Sequence, residues 1–296
     1  MSEGLQLIAT ILIYGLVNSV ILILTALGFS LTFGLSRVAN FAHGGIYLLS
    51  GYVTWMLLKR VGLPYPAAIL LTILATGLLG ALIYRFLLMR VRGIELSEVI
   101  ATFAAGVAIL ELFRWLGFVT YEFNLPPFVQ GQVRILGVFV DYQRLLIIAV
   151  GLALAVLLYL FSHHTRTGLA LRGMAQDEYT ALTLGIESDW AAMLSVALGS
   201  SLTAVAAVSI LPLGIISINV GYDVLLVALA VAVVGGLEST MGLVISGVIL
   251  GFSMVITSNY LGPHWMMVVY LVAIVLVLAI RPSGILGQFK EIEERV

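Results

Sequence analysis

The sequence contains no cysteine, which excludes disulfides and thiolate metal sites. Lysine is nearly absent: Lys59 follows Leu58 and Lys290 follows Phe289. A Walker A phosphate loop needs Gly-Lys, so the chain cannot bind ATP by that route. If ATP drives its work, another polypeptide must bind it. Charge of either sign is scarce. Only 10% of residues are charged and the net charge is −1, whereas about a quarter of a soluble domain is charged. No basic surface suggests nucleic acid. Catalytic constellations are also missing. Gly-x-Ser-x-Gly does not occur, and a lone His43 among scattered serines is not a nucleophile–base pair. Adjacent His163 and His164 lack the i,i+4 spacing of a shared metal and sit beside Arg166, as an interfacial pair would. The expectation is a non-enzymatic chain with no cofactor and no metal.

What the chain has instead is apolar length: 61% of it is hydrophobic. Nine apolar segments lie near 6–34, 42–58, 65–89, 96–119, 142–162, 190–212, 222–237, 240–258 and 264–281. A bilayer-crossing helix needs about 20 such residues. Inside lipid the backbone must satisfy its own hydrogen bonds, so these runs are helices. The short alternating strands of a barrel are absent from the pattern. The predicted fold class is an all-α polytopic membrane protein with about nine transmembrane helices, eight to ten. It forms one transmembrane domain over 1–296, with an outer loop at 120–141 and a cytoplasmic loop at 165–189. No cleavable signal peptide is evident, because Met1–Gln6 carries Glu3 and no basic residue before a long apolar run.

Orientation follows the arginine and lysine bias. With nine crossings and the N-terminus outside, Arg37, Arg85, Arg90, Arg92, Arg166, Arg172, Arg281, Lys290 and Arg295 face the cytoplasm. Lys59, Arg60, Arg114, Arg134 and Arg144 face out, a split of nine against five, and the C-terminus is cytoplasmic. The outer loop holds Pro126, Pro127 and Gly131, and Val133–Val140 reads as a short β-strand.

Two segments are shorter than a full span. One follows Asn40-Phe41-Ala42-His43-Gly44-Gly45, and the other runs from Gly221 to Leu237. Short, Gly-interrupted segments at matching places in two halves point to a transport path. Ala26–Thr32 also echoes Ala197–Thr203, and in this topology the copies run in opposite directions, as in an inverted repeat. The pairs Gly247/Gly251 and Gly77/Ala81 read as close helix packing. Polar residues fall within or beside the apolar runs at Asn18, Asn40, His43, Glu111, Asn219 and Asp223. Glu111 and Arg114 share a helix face and can pair. Asp223 stands at an expected helix start and reads as its cap. For Asn40 and His43, a pore or hinge role and plain packing stand level.

The stretch from Thr165 to Asp189 is the polar island of the chain. It carries Arg166, Arg172, Asp177, Glu178, Glu187 and Asp189 between two membrane segments. Leu171, Met174, Ala175 and Leu182 follow a helical period, which predicts one short helix over 171–184. Gly185 reads as its C′ stop with Ile186 as the accompanying contact, and Ser188 or Asp189 as cap of the next helix. The local pattern leaves a docking surface and an ordinary solvated loop equally open.

Four stretches carry a family resemblance. They are Asn18 through Phe33-Gly34 into Val38-Ala39-Asn40-Phe41-Ala42-His43-Gly44, the polar island, Val233–Ser239 with Gly242, and the ending Arg281–Gly287. In order and spacing the chain resembles a permease subunit of the branched-chain amino acid ABC importers, of the LivH type. The resemblance implies a type II-like importer fold in the prokaryotic inner membrane. It implies a second permease, as heterodimer or homodimer, two ATPase subunits and an extracytoplasmic substrate-binding protein. It also implies that the island holds the coupling helix, with Arg166, Gly168, Leu171, Arg172, Ala175, Gln176, Asp177, Ala181, Leu182, Leu184 and Gly185 at the ATPase surface. The expected substrates are leucine, isoleucine, valine or related amino acids, with urea and short amides as the family's alternative. Asn18, Asn40, His43, Asn219 and Tyr222 are the expected path residues. The chain departs from the family in two places: Asp177-Glu178 in the island, and Gly45, where a larger polar residue is common. A competing reading is an ion-coupled secondary carrier working alone through buried carboxylates such as Glu111 and Asp223.

Overall fold

A computed structural model describes residues 3–116 and 124–287. Residues 120–123 of the outer loop, and Lys290 and Arg295, lie outside the described residues. The chain folds as α1 (Glu3–Ser36), α2 (His43–Met56), α3 (Tyr65–Phe86), α4 (Glu95–Trp115), α5 (Tyr142–His164), α6 (Arg166–Gln176), α7 (Glu178–Thr183), α8 (Ser188–Ile210), α9 (Ile218–Gly235), α10 (Thr240–Tyr260) and α11 (Met266–Ile280). Among the described residues, eight helices are long and apolar enough to cross a membrane. The ninth, α2, has 14 residues and continues through a π turn, Leu57–Val61, to a stop at Gly62 with φ 77°. The nine apolar segments thus correspond to nine helices. The segment expected from 222 begins four residues earlier, at Ile218.

The long helices alternate between two ends of the bundle. One end carries β1 (Gln132–Ile135) and β2 (Val138–Asp141), an antiparallel pair in register from Gln132–Asp141 to Ile135–Val138. The single strand expected over Val133–Val140 is therefore a hairpin. Leu136 and Gly137 both take positive φ, 48° and 83°, and reverse the chain in two residues. Tyr14 Oη donates to Phe139 O at 2.8 Å, which ties the start of α1 to this hairpin. The opposite end carries α6 and α7.

Small residues set the packing. The echo between Ala26–Thr32 and Ala197–Thr203 is a physical contact, because α1 and α8 lie antiparallel along each other. A Cβ on Gly28 would meet Gly199 O and Thr203 Oγ1, and a Cβ on Gly199 would meet Gly28 O and Thr32 Oγ1. Thr32 Oγ1 donates to Gly28 O at 3.0 Å and Thr203 Oγ1 to Gly199 O at 2.8 Å, so the two sides repeat the same bonds. The relation extends outward. α10 lies along α1 as α3 lies along α8, α9 touches α1 as α2 touches α8, and α11 packs on α9 as α4 packs on α2. The fold is an inverted repeat of α1–α4 and α8–α11, with α5–α7 between the halves. Gly247 and Gly251 meet Ile23 and Ser19 of α1, so that pair marks close packing, and Gly77 of the Gly77/Ala81 pair meets Ser201 of α8.

Candidate functional site

The first α2 turn lies inside the bundle. α1 ends at Ser36, and Arg37 takes a left-handed φ of 55° that turns the chain back inward. Arg37 pairs with Glu238 at 3.6 Å. Residues 38–42 then run without helical structure, yet Val38, Asn40 and Ala42 are buried. Backbone of that kind is tolerated at membrane depth only when protein surrounds it and satisfies it. Phe41 N–H donates to Thr102 Oγ1 at 3.1 Å, and Thr102 Oγ1 lies 3.1 Å from Ala39 O. Ala42 N–H donates to Asn40 Oδ1 at 3.1 Å, so the asparagine supplies a turn that the backbone lacks.

His43, 2% exposed, is the central tie. Its Nε2 lies 2.8 Å from Thr25 O and its Nδ1 3.1 Å from Thr203 Oγ1. A carbonyl only accepts, so Nε2 carries the proton and Nδ1 is left as an acceptor, which shares the single Thr203 hydroxyl hydrogen with Gly199 O. One neutral imidazole therefore joins α1, α2 and α8, with the Phe29 ring set edge-on at 6.0 Å. Beside it the backbones of α2 and α9 touch at Gly44 and Gly221. A Cβ on Gly45 would stand 2.8 Å from Gly106 O of α4, which explains why this chain carries no larger side chain at that position.

The other expected path residues are distributed differently. Asn18 is half-buried on α1, and Tyr222 is half-buried on α9. Asn219 and Asp223 are exposed on the same helix. Asp223 is not a cap: α9 starts at Ile218, which puts Asp223 in its second turn. The expected start was wrong because the non-helical segment before α9, not a polar residue, fixes where the helix begins. Glu111 is half-exposed and pairs with Arg114 at 3.5 Å, as their spacing predicts, so it is not a buried carboxylate.

The island is two helices rather than one. Asp177 breaks the helix and caps the second part, accepting from Thr180 N at 3.1 Å. Thr165 caps the first part, accepting from Gly168 N at 3.0 Å. Leu171, Met174 and Ala181 are buried against Leu35, Phe161, Leu194 and Leu198, whereas Leu182, expected on that face, is 47% exposed. The break rotates the second helix and brings Ala181 inward instead. Gly168 is buried against the carbonyl of Phe161 where α5 turns into α6. Arg172 and Ala175 are half-buried, and Arg166, Gln176, Asp177, Leu184 and Gly185 are exposed. The glycine stop holds: Gly185 has φ 82°, its N–H donates to Leu182 O at 2.9 Å, and Ile186 N–H donates to Ala181 O at 3.1 Å. Ser188 and Asp189 do not cap α8, whose N-cap is Glu187. Asp189 instead accepts from Tyr84 Oη at 3.0 Å and from Arg92. Arg92 also reaches Glu178 at 3.5 Å. A cavity of about 300 Å³ opens here, bordered by Leu35, Arg37, Arg92, Glu98, Met174 and Glu178.

Residues 11–278 match the family described as the branched-chain amino acid transport system permease component. The chain belongs to that family. The permease is 31% identical over 281 residues to the high-affinity branched-chain amino acid transport system permease protein BraD of Pseudomonas aeruginosa, covering 90% of this chain and 91% of that one. It is 30% identical over 280 residues to LivH of Escherichia coli K12, with the same two coverages. LivH of Methanocaldococcus jannaschii, described as a probable branched-chain amino acid transport permease, is 28% identical over 292 residues, covering 92% of this chain and 90% of that one. Among solved structures, a chain of PsaBC from Streptococcus pneumoniae in complex with Fab has a similar fold, with TM-score 0.52, 14% identity and 92% coverage of each chain. The family makes this chain a transmembrane permease subunit of an ABC importer, a transport component and not an enzyme. An ion-coupled carrier finds no support in this kinship.

Two features of the permease escaped the sequence. One is the Arg92–Asp189–Glu178 cluster, in which Arg92 lies far from the other two in the chain. The other is the joining of the third and fourth family-like stretches. Ile285 N–H donates to Val234 O at 2.9 Å and Leu286 N–H to Gly235 O at 3.1 Å, so the ending satisfies the last carbonyls of α9.

Proposed function

We propose that this permease forms half of the transmembrane path of an ATP-driven importer for branched-chain or related amino acids. Its α6–α7 end is cytoplasmic and docks on ATPase subunits. The observation that carries this reading is a set of exposed apolar side chains on a polar element. Leu169, Tyr179, Leu182 and Leu184 are 52%, 79%, 47% and 76% exposed, while the opposite side of the same two helices is packed into the bundle. An exposed apolar patch on a rigidly seated element marks a partner surface. The absence of Gly-Lys assigns ATP binding to other subunits. The remaining partners follow the importer plan: a second permease, two ATPases and an extracytoplasmic binding protein that supplies substrate. The N-terminus is outside, which matches the arginine and lysine bias.

Motion of the ATPases has a covalent and a packed route inward. α6 continues from α5, and α7 leads through Gly185 into α8. α8 carries Asp189 at the island and Thr203 beside His43, so tilting α8 moves the contact that holds the start of α2. The test is Leu182→Asp with all subunits co-expressed. Because Leu182 is exposed, the permease should still fold and insert, while ATPase co-purification and ATP-dependent leucine uptake fall at least about tenfold, roughly 1.4 kcal/mol of docking energy. Undiminished uptake and assembly would overturn the docking surface. Uptake of urea or acetamide in place of leucine would keep the architecture and replace the substrate class.

A further inference from the structure

We propose that Asp223, flanked by Asn219 and Tyr222, forms a station on the translocation path that receives the ammonium group of the amino acid in transit. The inference rests on the transport reading above and adds a residue to it.

Asn219, Asp223 and Leu226 stand at i, i+4 and i+7 on α9 and are exposed together, with Tyr222 half-buried beside them. The other side of α9 is closed: Val224, Ala228, Val231 and Ala232 are buried. Asp223 stands in the second turn of α9. It is two residues from Gly221, which touches Gly44 next to His43, and twelve residues before Gly235. Five residues of helix, about 7.5 Å, separate it from the start of α9 and twelve, about 18 Å, from its end, so the carboxylate stands within the length of the spanning helix.

Among the described residues, Asp223 has no ion pair and neither Asp223 nor Asn219 has a side-chain hydrogen bond. An ionisable group at such depth faces a partner or water, because lipid contact is too costly. Among the described residues no cation pairs with it. Among the described residues, Arg and Lys all lie at one end of the bundle or the other: Arg37, Arg85, Arg90, Arg92, Arg166, Arg172 and Arg281 at the island end, and Lys59, Arg60, Arg114, Arg134 and Arg144 at the hairpin end. The charge therefore awaits a mobile cation. A zwitterionic amino acid supplies one, and the Asn219 amide, one turn away, can donate to its carboxylate. Leu226 leaves apolar room for the side chain.

The native sequence lacks cysteine, so Asn219→Cys places a single thiol on this chain. In the complete importer in proteoliposomes, a charged, membrane-impermeant methanethiosulfonate should label that thiol, and leucine delivered with the binding protein should slow the labelling. Asp223→Asn should lower the maximal rate of leucine uptake at least tenfold, with ATPase assembly and basal ATP hydrolysis unchanged. Asp223→Glu should restore most of the rate. No labelling, an Asp223→Asn rate equal to the native rate, or loss of the second permease from Asp223→Asn would each overturn the inference; the last would mean that the carboxylate pairs with a protein cation. The native importer is the control that separates the two readings: if it moves no amino acid, the transport reading has failed, and if it does, only the role of Asp223 is in question.

Discussion

Gly28 and Gly199 lie backbone to backbone where α1 crosses α8, and each occupies the place that the other's Cβ would need. The same crossing repeats its threonine bonds from Thr32 and Thr203, so it is the local axis of the inverted repeat. Overpacking such a contact costs about 1–3 kcal/mol. Gly28→Val and Gly199→Val should each lower the thermal unfolding midpoint in detergent, by similar amounts. Gly173→Ala is the control. Nothing lies within 4 Å of a Cβ there, and Gly173 is helical, so stability should hold or rise. Equal midpoints for all three variants would show that the crossing is looser than the glycine contact implies.

His43 ties three helices through two hydrogen bonds, and the partners differ in what they lose. Thr203→Val removes the hydroxyl shared between Nδ1 and Gly199 O, a loss of about 1 kcal/mol. His43→Ala removes both bonds and leaves a void beside Phe29, so it should cost about 2–4 kcal/mol. The double variant should be no worse than His43→Ala by more than a few tenths of a kcal/mol, since both changes break one contact. Strict additivity in unfolding midpoints would mean that histidine and threonine act independently.

These contacts explain what could be read from the chain and what could not. The nine helices were legible because lipid forces long apolar runs into helices. The repeat was legible at Ala26–Thr32 and Ala197–Thr203 because only small residues let two backbones touch. The break at Asp177 was not legible, because an acidic residue near a helix start serves equally as first-turn charge and as cap. The role given to Asp223 failed because segment 211–217, whose fold depends on its neighbours, sets the start of α9. The partners of Arg92 were hidden by sequence distance. The satisfied state of Asn40 and His43 was hidden too, since polarity alone does not distinguish a path residue from a tie.

Arg92 links the island to the bundle by reaching both Asp189 and Glu178. All three side chains are partly exposed, so the pairs add only about 0–1 kcal/mol of stability. Their position gives them another consequence: α7 and the start of α8 move together while the guanidinium holds both. Arg92→Ala should leave yield and unfolding midpoint nearly unchanged and lower leucine uptake per ATP hydrolysed several-fold. Arg92→Lys should recover only part of the ratio, because a point charge cannot hold two carboxylates as the planar fork does. An unchanged ratio in Arg92→Ala would remove this cluster from the force path.

The chain ending acts on a helix far from it in sequence. The last carbonyls of α9 have no intrahelical donor, and Ile285 and Leu286 supply one to Val234 and Gly235. That geometry depends on two glycines in contact, Gly236 with φ 103° and Gly284 with φ 82°. An alanine at Gly284 meets a positive φ, which costs about 1–2 kcal/mol, and also presses on Gly236. Ending the chain after Pro282 should unsatisfy both carbonyls and fray the last turn of α9. Amide exchange around Val233–Gly236 should then quicken at least tenfold, while exchange in α3 stays slow. The α9 end lies beside Glu238 and Arg37, so fraying should also loosen the turn where the chain re-enters the bundle. If exchange in α9 is the same with and without the ending, the tail only rests on the helix and does not hold it.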